Sequence, residues 1–220
     1  MRTTLLASLA LVLSLGASSC TGTRLLSNPT LQLQTQGGTE LGVSTDYGVV
    51  FLGRTATTGE VEITAFFGDG PSIEPTVIEP VGGGLYTAET EIRLPDVPIR
   101  FIEPIPGERL YLKGMSGTER WTEEVTVLSD PRVEGILIEV PKRLRNDPSQ
   151  IGAGLFWMPE EDDLLHMELV GLVSGRIRFE RGADVREYMT IAGPTSLWRL
   201  VAHRRNQLER ERWIYRNDIL

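Results

Sequence analysis

The chain has 220 residues, with 22 Lys and Arg against 30 Asp and Glu, for a formal net charge of -8. A chain of this length can bury a real core as one domain or two small subdomains, and its acidic balance argues against nucleic acid as a partner. The single cysteine, Cys20, leaves no intrachain disulfide, so stability must come from packing.

The first twenty residues have the three parts of a secretory leader. Met1-Arg2-Thr3-Thr4 is a short basic head, Leu5 to Leu15 an apolar run too short to span a bilayer comfortably, and Gly16-Ala17-Ser18-Ser19 a small-residue exit before Cys20. Ala17-Ser18-Ser19-Cys20 resembles a bacterial lipobox, although Leu is more usual where Ala17 stands. The resemblance implies that Cys20 receives lipid and becomes the mature N-terminus, which removes Arg2. With Thr21 rather than Asp next, it implies an outer-membrane anchor facing the periplasm in a cell with two membranes. Residues 21-30 are polar, contain Asn28-Pro29 and read as a tether.

From Leu31 to about Gly193 short β-rich segments alternate with glycine and proline. Strands are expected over Leu31 to Leu33, Gly48 to Leu52, Glu60 to Phe67, Pro75 to Ile78, Thr87 to Leu94, Ile99 to Ile102 and Arg109 to Lys113. Further ones are expected over Glu123 to Leu128, Gly135 to Val140, Gly154 to Trp157, Leu164 to Val173 and Ile177 to Phe179. So many strands at short spacing argue for an all-β barrel or sandwich and against a parallel α/β sheet. The densest signal is Ser149-Gln150-Ile151-Gly152-Ala153-Gly154-Leu155-Phe156-Trp157, followed by an acidic stretch and then Glu168 to Gly175. It reads as a β-hairpin, with Trp157 expected to pack inside its barrel. After Gly193-Pro194, Ser196 is expected to cap a helix in which Leu197, Leu200, Val201 and Leu208 share a face. Its arginine-rich side reads as solvated, and Trp198 and Trp213 as core anchors.

The hairpin resembles the second β-barrel of trypsin-like serine proteases. In that family a Gly-Asp-Ser-Gly-type turn leads into an apolar strand, and a Val-Gly-Val-x-Ser-x-Gly strand lines the specificity pocket. Ile151-Gly152-Ala153-Gly154-Leu155-Phe156 follows the first pattern with Ile151 in the nucleophile's place. Leu169-Val170-Gly171-Leu172-Val173-Ser174-Gly175 follows the second. Thr45-Asp46-Tyr47-Gly48-Val49-Val50 looks like the family's Thr-Ala-Ala-His-Val-Val turn, with Gly48 in the histidine position. Gly83-Gly84-Leu85-Tyr86 falls where the family has Asp-Leu-Ala, with Gly84 for the aspartate, and Ile105 to Gly114 matches the opening of the second barrel. The resemblance covers roughly residues 38 to 180. It implies a trypsin-like double β-barrel whose N-terminal barrel is short, with residues 31-98 forming the first barrel, 99-193 the second and 194-220 the closing helix. Its inter-barrel cleft would include Ser149, Gly152, Val173, Ser174 and Gly175.

The chemistry of the family does not come with the pattern. A serine triad needs a hydroxyl nucleophile, an imidazole that takes its proton and a carboxylate that orients the imidazole. Those places hold Ile151, Gly48 and Gly84, and the only histidines, His166 and His203, both follow the turn. Ser149, two residues before Ile151, would be an unactivated alcohol without a base. Gly114-Met115-Ser116-Gly117 lacks the spacing of an esterase elbow and reads as a turn. Glu160-Glu161-Asp162-Asp163 lacks the alternating ligands of a calcium loop, no Cys/His set has metal-ligand spacing, and Gly82-Gly83-Gly84 lacks the Lys-Ser/Thr of a phosphate loop. No cofactor and no metal are expected. The expected function is therefore a catalytically inactive trypsin-like protease homologue, lipid-anchored in the envelope, that binds a peptide or protein. The alternatives are a hydrolase using Ser149 or Ser116, and a structural β-sandwich lipoprotein.

Overall fold

A computed structural model describes residues 28-35, 37-54, 64-66, 75-91, 94, 96-147, 150-159, 164-181 and 184-217. The expected leader, Cys20, most of the tether, Ser149 and the acidic run 160-163 lie outside the described residues. Two β bodies follow one another along the chain. The first contains β1 (Thr30–Thr35), β2 (Gly38–Thr45), β3 (Gly48–Phe51), β4 (Thr64–Phe66), β5 (Pro75–Gly82) and β6 (Leu85–Thr90) in one antiparallel sheet of order β4-β1-β2-β3-β6-β5. The second contains β7 (Arg109–Ser116), β8 (Glu119–Leu128), β9 (Ile136–Glu139), β10 (Gly154–Trp157), β11 (Glu168–Arg181) and β12 (Asp184–Ala192), and closes as the barrel β10-β11-β12-β9-β8-β7. The helix α1 (Pro194–Asn217) follows β12.

Period-two alternation sorts the side chains into three apolar clusters. Leu110 and Leu112 of β7, Trp121, Val125 and Val127 of β8, Ile136 and Ile138 of β9, and Leu155 of β10 fill the barrel. The intervening residues Tyr111 and Phe156 point outward, where they join Val43, Val50, Leu52 and Leu85 of the first sheet and Leu197 and Leu200 of α1. The far face of the first sheet carries Leu31, Leu33, Val49, Phe51, Ala88 and Leu94. Val49, Val50, Phe51 and Leu52 are therefore all buried, because both faces of β3 are covered.

The hairpin forms as expected: β10 pairs antiparallel with β11, with a bulge between Leu155 and Phe156. Several other expectations need correction. β2 and β12 are strands that the pattern did not announce, since β2 buries polar residues, Glu40, Ser44 and Thr45, and β12 mixes charge into its run. The segments Leu164 to Val173 and Ile177 to Phe179 resolve into a short 3-10 turn, Leu164–His166, and the single long strand β11. Ile99 to Ile102 is no strand. Ile99 makes one isolated parallel bridge to Leu169, and Ile102 is exposed.

The helix needs a correction too. It begins at Pro194, with the Gly193 carbonyl accepting from the amides of Ser196 and Leu197, while the Glu103 carboxylate takes the Thr195 amide at 3.1 Å and its hydroxyl at 2.7 Å. Ser196 is inside the first turn rather than the cap. Leu197 and Leu200 are buried, but Trp198 is 52% and Trp213 69% exposed, so neither tryptophan is a core anchor. Trp198 sits about 100° around the helix from Leu197 and leans on Phe101 at 4.6 Å between ring centroids. No helix among the described residues is long and apolar enough to cross a membrane.

Candidate functional site

The site to test is the turn from Gln150 to Gly154, where the family pattern places its nucleophile. Gly152 has φ +86° and donates its amide to the Val173 carbonyl at 2.9 Å, while Val173 donates to Ala153 at 2.9 Å. The turn is thus stitched to β11 by its own backbone. From the other side β2 closes over it: the Leu41 amide donates to the Ile151 carbonyl at 3.0 Å. A Cβ built on Gly152 would lie 1.8 Å from the Leu41 carbonyl oxygen. Only glycine fits, because both the left-handed backbone and the space forbid a side chain.

A polar bracket holds the turn from behind. Gln150, buried, donates to Asp147 Oδ2 at 2.6 Å, and the Ser116 hydroxyl donates to the same oxygen at 3.0 Å. Arg176 of β11 donates to the carbonyls of Leu144 at 2.6 Å, Arg145 at 3.3 Å and Asp147. Gln150 Oε1 is buried without a protein partner among the described residues. Ser116 therefore spends its hydroxyl on a carboxylate in a structural bracket.

Of the expected triad places, Gly48 and Gly84 stand apart. Ile151 packs its side chain against the core between the two bodies. Gly48 opens β3 after a two-residue turn, Asp46-Tyr47, and Gly84 lies in the exposed turn joining β5 to β6. Gly48 stands four residues along the chain from Leu52, whose carbonyl is the atom nearest a Cβ on Gly84, which separates the two by roughly 13 Å of strand. The expected cleft residues are likewise engaged. Gly152 and Val173 bond each other, Ser174 Oγ meets the Thr190 carbonyl at 3.1 Å, and the Ser174 carbonyl accepts from Arg54 at 3.1 Å. Gly175 pairs with Thr190 past a bulge. Ser149 lies outside the described residues.

The histidines sit elsewhere. His166 is exposed in the 3-10 turn, and His203 Nε2 meets Glu79 Oε2 at 2.8 Å between α1 and β5, where Gln207 also donates to that oxygen. His203 borders a groove of about 260 Å³ with Asp46, Tyr47, Gly48, Arg204 and Glu211. Arg204 donates to the Asp46 carbonyl at 2.8 Å and lies over the Tyr47 ring at 5.4 Å. Partial burial raises the Asp46 carboxyl above the usual range, against the backbone bond and Arg204 that lower it. Burial and the Asp46 charge likewise raise the Tyr47 hydroxyl. Sequence reasoning missed this groove because its walls come from a turn and a helix more than 150 residues apart. The Gly82-Gly83-Gly84 turn is a seat for Arg199, whose Nε lies 3.0 Å from a Cβ built on Gly83.

No protein-family model matches the chain, and no curated protein matches it significantly. Among solved structures, the chain is similar to the Rv3671c protease of M. tuberculosis. The inactive serine-to-alanine mutant superposes with a TM-score of 0.53 at 14% identity, over 83% of this chain and 90% of that one. The inactive form of the same protease gives 0.51 at 13% identity, over 83% and 93%. The trypsin-like double-barrel fold is the fold of this chain. At such identities the likeness is one of architecture alone.

Proposed function

We propose that this chain is a catalytically inactive trypsin-like protease homologue, held in the bacterial envelope by lipid on Cys20, that binds a peptide or protein. The observation that carries the reading is the side chain at the nucleophile's place: Ile151 is aliphatic and packs against the apolar core between the two bodies. Leu41 of β2 donates to the Ile151 carbonyl and abuts Gly152, which holds Ile151 in place. Ile151 offers no nucleophile, and Gly48 offers no base. His203 is engaged with Glu79 between α1 and β5, which supports a structural place for it. A barrel scaffold that has lost its chemistry keeps strand edges on which an extended segment can add, so binding is the use that remains.

Two measurements test the reading. The purified protein should show no peptidase activity and no labelling by serine-directed phosphonates, and Ile151→Ser should restore neither, because Gly48 leaves the new serine without a base. Stoichiometric labelling of the unmodified protein, abolished by Ser149→Ala or Ser116→Ala, would overturn it in favour of a hydrolase. For the anchor, Cys20→Ser should leave an unlipidated precursor outside the membrane fraction. Retention in the membrane with unchanged mobility would remove the lipoprotein part.

A further inference from the structure

We propose that the outer edge of β8 from Thr122 to Thr126 is a strand-addition site, which takes an extended peptide of another protein into the groove between β8 and the turn after β9. The inference deepens the binding reading above and rests on it. It moves the ligand away from the inter-body face, where Leu41, Arg54 and Val173 already occupy the backbone groups.

The barrel is closed unevenly. β8 pairs with β7 over eight residues, Glu119 to Thr126, but with β9 only at Val127 and Leu128. The Val127 amide donates to Glu108 at 2.9 Å and its carbonyl accepts from Gly107 at 2.8 Å, so Val127 faces the β7 side. Period two then puts Val125 and Glu123 on that side and turns the amides and carbonyls of Thr122 and Glu124 to the opposite edge. Among the described residues nothing bonds those four groups. They are an unpaired ladder in a barrel, the architecture that otherwise removes edges.

Why the edge stays open follows from the sequence after β9. Val140 makes its last ladder bond to Glu187 of β12 at 3.2 Å, and then Pro141, which has no amide to offer, starts a 3-10 turn over Lys142–Leu144. Buried Leu144 and the three carbonyl bonds from Arg176 pull that turn towards β11, away from β8. The fork leaves a groove of about 410 Å³ whose charged lining is Glu123, Glu124, Glu139, Lys142, Arg143 and Arg145. Its far end is latched by Arg143 to Glu119 at 2.5 Å.

The dimensions and charges define the occupant. The edge from Thr122 to Thr126 spans roughly 14 Å at about 3.4 Å per residue, room for four or five extended residues. Glu124 is half-exposed and held only loosely, by Arg109 at 3.8 Å, so a basic side chain on the added strand is favoured beside it. On the other lip Lys142 favours an acidic side chain on the same face of the strand. The ligand class is therefore an extended peptide with a basic and an acidic residue two positions apart and small β-branched residues between them.

The probe is acetyl-Val-Lys-Val-Glu-Val-Thr-amide, titrated into the intact protein with amide NMR shifts as readout. Binding is expected to shift Thr122 to Thr126 and Val140 to Arg145 and to slow amide exchange at Glu124. Glu124→Pro, which removes an outward amide that β7 does not use, should weaken binding by at least ~10-fold. N-methylation of the peptide backbone should do the same with no change to the protein. Glu124→Lys should weaken the probe roughly 3-fold to 10-fold, and exchanging the probe's Lys for Glu should rescue it. Shifts centred on Val173 to Gly175, or binding indifferent to both Glu124→Pro and N-methylation, overturn this site while leaving a peptide-binding protein. No binding overturns the site as well. Concentration-dependent dimers lost in Glu124→Pro overturn the foreign-peptide occupant in favour of a second copy. Cleavage of the probe overturns the non-catalytic reading itself.

Discussion

The two β bodies solve the problem of covering a sheet in opposite ways. The second barrel encloses its own core, with Leu110, Leu112, Val125, Ile138 and Leu155 meeting inside a closed wall. The first sheet does not close among the described residues, and one of its faces is covered only because Tyr111, Phe156, Leu169 and Leu197 of the second body and the helix lie against it. Burial of this apolar area stabilises by about 25 cal/mol per Å² wherever it occurs, but on that face of the first body the stabilisation belongs to the interface. Between the two bodies lies a shared hydrophobic core.

The sharpest way to break this comparison is at the seal. Gly152→Ala should cost at least about 3 kcal/mol, since it adds a left-handed-backbone penalty to a Cβ that overlaps the Leu41 carbonyl. Loss of soluble protein, or a fall in denaturation midpoint of that size, is expected. A stability near that of the parent would mean that the two bodies are not sealed there.

Next in size comes a pair of neighbours on one strand. Phe156→Ala and Leu155→Ala should each cost about 2 to 5 kcal/mol, both side chains being fully buried, yet they should act on different bodies. In amide exchange Phe156→Ala should release β2 and β3 of the first sheet, and Leu155→Ala should loosen the barrel as a unit. Identical exchange patterns would erase the distinction. Smaller effects separate the tryptophans. Trp157 packs partly into the barrel and under Arg100 at 5.1 Å, so Trp157→Ala should cost about 1 to 3 kcal/mol, whereas Trp213→Ala should stay within about 0.5 kcal/mol.

The smallest predicted effect concerns pH. Arg132 holds the Asp130 carboxyl down at about 2, from an ordinary 3.8, through side-chain and backbone hydrogen bonds. A carboxyl depressed on folding contributes stability that is present above its unfolded value and lost as pH falls through the folded one. Between pH 3.8 and pH 2 the parent should therefore lose thermal stability faster than Asp130→Asn. Parallel melting curves across that window would show the pair to be energetically idle.

How much of this was legible beforehand depends on the range of the signal. The hairpin of β10 and β11 was readable because Ala153, Leu155 and Trp157 alternate locally with Gly154, Phe156 and Met158 and the glycines mark the turn. The closing helix was readable from Gly193-Pro194 and the spacing of Leu197 and Leu200. β2 was not, because Glu40, Ser44 and Thr45 look like surface residues until neighbours bury them. The helix tryptophans misled because aromatic mass argues for a core, while a rotation of about 100° from the apolar stripe puts Trp198 on the flank.

At the site the division is the same. By itself the sequence determined which residues stand at the positions the resemblance marks, Ile151, Gly48 and Gly84, and that His166 and His203 come after the turn in any fold. Only the tertiary structure decided what fills the space. That Leu41 would bond Ile151, that Arg54 would reach Ser174 across 120 residues, and that β8 and β9 would part after two pairs are outcomes of long-range register. Register is set by which faces find cover, a property of the packed whole that no local window of residues contains.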